Sequence, residues 1–138
     1  MGKFVQDYMS RVYTIKKDTP IKDAIKYMLE EATRIALIVD DIGCVKGIVT
    51  GTDLVREGYG FLSSSKSLDG TIEHIMTTTV FFQMPENTLM VEAVKTMANQ
   101  RAHDMVVVKI SPLGIMPIGI LRQLDAMRWW WEEFGTNK

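Results

Sequence analysis

Ile35-Ala36-Leu37-Ile38-Val39 is an unbroken apolar run, closed by Asp40-Asp41-Ile42-Gly43. A short apolar run bounded by turn residues marks a strand covered on both faces. The turn hands it to a returning strand over Val45–Thr50. Upstream, Ile21, Ala24, Ile25, Met28 and Leu29 recur at helical spacing. Asp18-Thr19-Pro20 precedes them, with a Thr19 oxygen able to cap the helix and Pro20 suited to its first position. A short strand is predicted over Tyr13-Thr14-Ile15, and a second helix opens over Thr52–Glu57. The succession returns downstream. Val80-Phe81-Phe82 fits a short strand, Asn87-Thr88 a cap, and Leu89, Val91, Val94 and Met97 a looser helical stripe. Strands over Met105–Lys109 and Ile115–Leu121 come next, joined through Ser111-Pro112-Leu113-Gly114. Each half reads as β-α-β-β-α behind a short helical turn, which makes the chain an α+β protein.

The halves also match residue by residue. Val5-Gln6-Asp7-Tyr8-Met9-Ser10 pairs with Ile72-Glu73-His74-Ile75-Met76-Thr77, and Thr19–Met28 (TPIKDAIKYM) with Thr88–Met97 (TLMVEAVKTM). Gly47–Leu54 (GIVTGTDL) pairs with Gly119–Ala126 (GILRQLDA). Three matches in one order mean duplication. Glycine and serine between Gly58 and Ser67 predict a flexible connector. The expected organisation is a first repeat over 1–60, a linker over 61–70 and a second repeat over 71–138. Neither half is large enough for a comfortable core alone, so the repeats are expected to bury apolar faces against each other.

Composition narrows the function. Sixteen basic against seventeen acidic residues leave no electropositive footprint for duplex nucleic acid. A single cysteine, Cys44, excludes an intrachain disulfide and a cysteine metal cluster. No apolar run approaches the roughly 18 residues of a membrane span, and the N-terminus lacks an apolar signal core. A soluble cytoplasmic protein is the expectation. Asp40-Asp41 reads as turn chemistry, since no further metal ligands stand at sensible spacing.

The candidate chemistry lies in Gly47–Asp53. Gly47 allows close approach of backbone to a ligand. Thr50 and Thr52 set hydroxyls beside the unsatisfied N–H groups of a helix start, which suits phosphate, and Asp53 can accept two hydrogen bonds from a ribose diol. A plainer reading stands beside this one: Thr50 or Thr52 caps the helix and Asp53 favours its dipole.

The element order, with Gly-x-x-Thr-x-x-Asp at the third strand and the Asp-Tyr-Met and His-Ile-Met lead-ins, resembles the CBS domain family, and the two copies resemble a stand-alone CBS pair, or Bateman module. The resemblance implies two repeats packed with pseudo-two-fold symmetry and two related clefts between them. One cleft would hold Ile48, Thr50, Thr52 and Asp53, faced by Thr78, Val80 and His103. The other would hold Ile120, Arg122 and Asp125, faced by Arg11, Tyr13, Arg34 and Ile35. At Arg122 the sequence departs from the family, where a small hydroxyl residue is usual. Arginine there could pair with a phosphate or fill the cleft.

The implied function is regulatory binding of AMP, ADP or ATP, with no cofactor required, passed on to an unknown regulated protein. S-adenosylmethionine, NAD and single-stranded nucleic acid are the other ligands open to such a pair. A scaffold with empty clefts is the rival reading. Two histidines, one cysteine and no nucleophile–base pairing speak against an enzyme. Trp129-Trp130-Trp131 cannot all face one core from a helix, and aromatic residues are enriched at interfaces. Together with the family's habit of dimerising through its helices, they predict a homodimer. Met28, Met97 and Met127 read as adaptable core fillers.

Overall fold

The computed structural model describes residues 3–64, 68–78 and 83–135. In chain order it contains β1 (Thr14–Lys16), α1 (Ile21–Glu30), β2 (Ile35–Val39), β3 (Val45–Thr50) and α2 (Gly51–Ser64). The second series is β4 (Gln83–Pro85), α3 (Met90–Gln100), β5 (Asp104–Ser111), β6 (Gly114–Arg122) and α4 (Gln123–Trp130). Short 3-10 turns at Val5–Asp7 and Ile72–His74 precede the two series, and a π-turn over Trp131–Gly135 ends the second. The two β-α-β-β-α series give the α+β fold expected. The short strand expected at Val80-Phe81-Phe82 lies outside the described residues.

Each series makes its own three-stranded sheet. β1 runs parallel to β2, and β2 antiparallel to β3. β4, β5 and β6 repeat the arrangement. The predicted bounds of β2 and β3 hold residue for residue. Ala36, Leu37 and Ile38 are fully buried, so β2 is covered on both faces. In both sheets the register shifts one residue before the motif glycine. Ile38 pairs with Gly47 and Val39 with Val45, while Val107 pairs with Gly119 and Val108 with Pro117. A bulge of this kind bends the strand and re-aims its far end, here the two strand–helix junctions. Asp40 makes the β2–β3 turn, its Oδ1 accepting the N–H groups of Cys44 at 2.9 Å and Ile42 at 3.1 Å.

The chain divides into two compact units, one of Tyr13–Phe81 and one of Met1–Val12 with Phe82–Lys138. Each series therefore packs with the lead-in of the other half. In the first unit Ile72, fully buried, joins Ile15, Ile21, Ala24, Met28, Ile38, Val49 and Leu54 in one core. In the second unit Val5 and Tyr8 join Met90, Ala93, Met97, Met105, Val107, Leu121 and Trp129.

The lead-ins also explain where α1 and α3 begin. Pro20 is the N-cap of α1 and Leu89 that of α3, and neither helix has a side-chain cap, against the expectation for Thr19 and Thr88. Lead-in carbonyls do the capping: Ile21 N–H donates to Gly70 at 2.8 Å and Met90 N–H to Lys3 at 2.9 Å. A buried helix start needs such partners for its orphan donors. The new phase buries Met90, Ala93 and Met97, while Leu89 and Val91, expected in the stripe, stand 41% and 46% exposed. The connector expected from Gly58 onward is helical as far as Ser64. A helix once nucleated gains a hydrogen bond for each residue added, and a glycine in its path costs only about 1 kcal/mol. Trp129 alone of the tryptophans is buried.

Tyr8 ties the first lead-in to the C-terminal turn. Its hydroxyl donates to Glu132 Oε1 at 2.6 Å, and the Arg128 guanidinium lies 4.7 Å from the ring centre. The hydrogen bond to Glu132, then burial and the nearby negative charge, push the Tyr8 hydroxyl from 10.0 up to about 12. In the unfolded chain Tyr8 ionises first as pH rises, so this contribution is complete below pH 10 and is lost between 10 and about 12. Melting curves from pH 9 to 12 are expected to show a steeper loss of stability for the wild type than for Tyr8→Phe. Parallel profiles would contradict this account.

Candidate functional site

The strand–helix junction of the first unit is built by β3 and α2. Thr50 caps α2: its N–H donates to Asp53 Oδ2 at 2.9 Å and its Oγ1 to the same oxygen at 3.1 Å, while Asp53 N–H returns to Thr50 Oγ1 at 3.4 Å. This reciprocal cap is the plainer reading of the motif made real. It also fixes the Asp53 carboxylate in one rotamer beside the α2 N-terminus. Among the described residues, Oδ1 faces the exposed Arg56 guanidinium, at 3.6 Å, and the side chain is 16% exposed. The carboxylate is thus oriented by Oδ2 and presented by Oδ1.

Around it the same unit gathers several of the residues expected to bind. Ile35 pairs directly with Thr50, and Arg34 C=O accepts the Gly51 N–H at 2.8 Å. Tyr13 C=O accepts the Leu37 N–H at 2.8 Å, and its ring meets Tyr27 edge-on. Ile48 exchanges hydrogen bonds with Thr77 at 3.0 and 2.9 Å, which sets exposed Thr78 at the next position. Thr52 is exposed on the first turn of α2. Val80 lies outside the described residues.

The second unit holds Arg11, His103, Ile120, Arg122 and Asp125. Ser10 and Ile120 exchange hydrogen bonds at 2.7 and 2.9 Å, as Thr77 and Ile48 do in the first unit. Arg11 and His103 are exposed, and His103 C=O accepts the Gln123 N–H at 3.2 Å. The expected grouping set His103 beside Asp53, and Tyr13, Arg34 and Ile35 beside Asp125. Tyr13, Arg34 and Ile35 belong to the compact unit that holds Asp53, and His103 to the one that holds Asp125.

Asp125 differs from Asp53 in its surroundings. It is 2% exposed. Arg122 N–H donates to Oδ2 at 2.9 Å, the counterpart of Thr50 N–H. Arg122 Nε adds a bond to Oδ2 at 3.2 Å and Nη2 one to Oδ1 at 3.0 Å. Ser10 Oγ lies 3.0 Å from both oxygens.

Sequence reasoning misses four residues. Ser10 and Thr77 pair with the motif strands, and Met9 and Met76 lie over the motif glycines. A Cβ on Gly119 would collide with Met9 Sδ, and one on Gly47 would fall 2.7 Å from Met76 Sδ. All four stand in the repeated Met-Ser and Met-Thr of the lead-ins, so the signal was present in the duplication.

Residues 5–60 match the CBS domain family. An uncharacterised protein of Methanocaldococcus jannaschii, MJ1404, is 28% identical over 125 residues, which is 90% of this chain; the chain spans 28% of that relative's length. The fold is similar to that of CBSX2, solved in complex with AMP, with a TM-score of 0.77 and 20% identity over 96% of this chain and 98% of that one. It is also similar to the CBS domain pair of MJ0100, solved with 5′-methylthioadenosine and S-adenosylmethionine. There the TM-score is 0.75 and the identity 23%, over 96% and 99% of the two chains.

Proposed function

We propose, from the premise that this chain belongs to the CBS domain family, that it is a regulatory module that binds an adenosine-containing ligand and does no chemistry on it. The observation that carries the reading is the Asp53 carboxylate, oriented through Thr50 and still presenting Oδ1 at a helix N-terminus. A carboxylate so held accepts both hydroxyls of a ribose, and the hydroxyls and N–H groups of the first turn of α2 suit a phosphate. The ligands of the two structural neighbours, AMP in one and 5′-methylthioadenosine with S-adenosylmethionine in the other, share adenosine and its ribose diol. AMP, ADP or ATP is the ligand class proposed here. Binding biases the module toward one arrangement only so far as the ligand prefers it, and that bias is the signal a regulated protein reads.

Thermal unfolding tests this. AMP, ADP, ATP, S-adenosylmethionine and NAD are each added to dialysed protein at millimolar concentration. A ligand that binds only the folded state stabilises it by about 2.7 kcal/mol at a hundredfold excess over its dissociation constant. The expected result is a raised midpoint with at least one adenine nucleotide, abolished in Asp53→Ala. That variant also melts earlier without ligand, because losing the cap costs about 1 kcal/mol. No shift with any of the five ligands would leave the reading without support.

A second reading has its own observation. Leu29, Val55, Tyr59 and Leu62 are 70–81% exposed on α1 and α2, and Leu124, Met127, Trp130 and Trp131 are more than half exposed at the end of the chain. Apolar helix faces of this kind suit a homodimer or a partner protein. Among the described residues no helix is long and apolar enough to cross a membrane. A stable dimer that gives no ligand-induced shift would favour a scaffold over a sensor.

A further inference from the structure

We propose that Arg122 closes the second copy of the binding motif from within, so that each chain takes one adenosine ligand, at Asp53, and not two. The inference rests on the reading of Asp53 as a ribose carboxylate and adds to it a residue that sets stoichiometry.

The two motifs share one backbone. Thr50 and Arg122 are both the last residue of a strand and both donate an N–H to the motif carboxylate at 2.9 Å. In both units a lead-in methionine covers the motif glycine, and a lead-in hydroxyl residue, Thr77 or Ser10, pairs with the strand beside it. The copies part at the capping side chain. Thr50 binds one carboxylate oxygen and leaves the other turned to an exposed arginine. Arg122 binds both: Nε bonds Oδ2 and Nη2 bonds Oδ1, in the fork geometry that a diol would have to imitate. With Ser10 Oγ at 3.0 Å from each oxygen, both Asp125 oxygens are engaged and the residue is 2% exposed.

A ribose entering here would replace bonds in which both partners carry charge, guanidinium to carboxylate, with bonds in which the carboxylate alone does. It would also break the ion pair of a half-exposed guanidinium that stays charged at every accessible pH. The plug is attached to the same helix start as its target, so no dilution removes it. The other conceivable role, an arginine reaching outward for phosphate, would need a guanidinium not already committed to Asp125.

Isothermal titration with AMP, ATP and S-adenosylmethionine as probes counts the sites. The wild type is expected to bind one equivalent per chain and Asp53→Ala none. Arg122→Thr installs the side chain that the first motif already uses and is expected to bind two. The double variant Asp53→Ala/Arg122→Thr is expected to regain one, now at Asp125. Melting curves recorded alongside verify that each variant folds. Should the double variant not fold, Arg122→Thr alone still decides between one equivalent and two. Two equivalents for the wild type, binding that survives Asp53→Ala, or one equivalent for folded Arg122→Thr would overturn the plug. No binding by the wild type together with none by Arg122→Thr would instead overturn the nucleotide reading on which it stands.

Discussion

Gly47→Ala is expected to destabilise the protein by about 2 kcal/mol, within the range for overpacking a filled site. A Cβ there would lie 2.7 Å from Met76 Sδ, 2.9 Å from Met76 Cγ and 2.9 Å from the Thr77 carbonyl oxygen. The thioether can move, but the carbonyl cannot move freely, since it accepts the Ile48 N–H that joins lead-in to motif strand. Gly119 supplies the control. The three atoms nearest its added Cβ all belong to the Met9 side chain. Shortening Met9 to alanine should therefore recover most of the loss caused by Gly119→Ala. Shortening Met76 should recover only part of the loss caused by Gly47→Ala. The two double-mutant cycles, read by chemical denaturation, check this contrast. Equal recovery in both would show that the Thr77 carbonyl gives way.

Ile38→Ala should have the larger effect, about 3 kcal/mol, as expected when a fully buried aliphatic side chain is cut back to a methyl group. Ile38 is 0% exposed and shares one core with Ile21, Ala24 and Met28 of α1, Leu54 of α2 and Ile72 of the lead-in. It lies opposite Gly47, beside the bulge, where the rigid ladder leaves little room for collapse. The midpoint should fall by roughly 10 °C for a chain of this size. A drop of less than about 2 °C, well below that scale, would mean that the neighbours close the cavity.

Where the chain punctuates itself, its sequence could be read closely. β2 and β3 came out at their observed bounds because an apolar run, a two-aspartate turn and a returning run leave one solution. α3 was legible as a helix but not in phase. Leu89, Met90 and Val91 are all apolar, so three neighbouring faces competed. Met90 became the inward one because its N–H meets the Lys3 carbonyl, a contact between residues far apart in sequence. The length of α2 was hidden by Gly58 and Gly60, whose preference for loops yields to propagation of a helix already begun. The motif itself was plain, whereas the state of each carboxylate was not. That both Asp125 oxygens are engaged depends on the reach of the Arg122 side chain and on Ser10, whose repeat with Thr77 marks the strand pairing but not the bond to the carboxylate.

Each compact unit borrows the opposite lead-in, and this sets an order of assembly at the ribosome. The unit of Tyr13–Phe81 is continuous in sequence, so it can close while the rest of the chain is still being made. The other must wait. Its lead-in residues, including Val5, Tyr8 and Ser10, emerge before the first unit, yet their partners at Thr88, Glu132 and Ile120 are synthesised after it. Throughout elongation an apolar segment with unpaired backbone is open to other chains, the condition under which nascent proteins exchange segments or aggregate. Translation rate and chaperone access over the second half of the message should therefore govern the yield of folded protein more than the stability of the finished fold does.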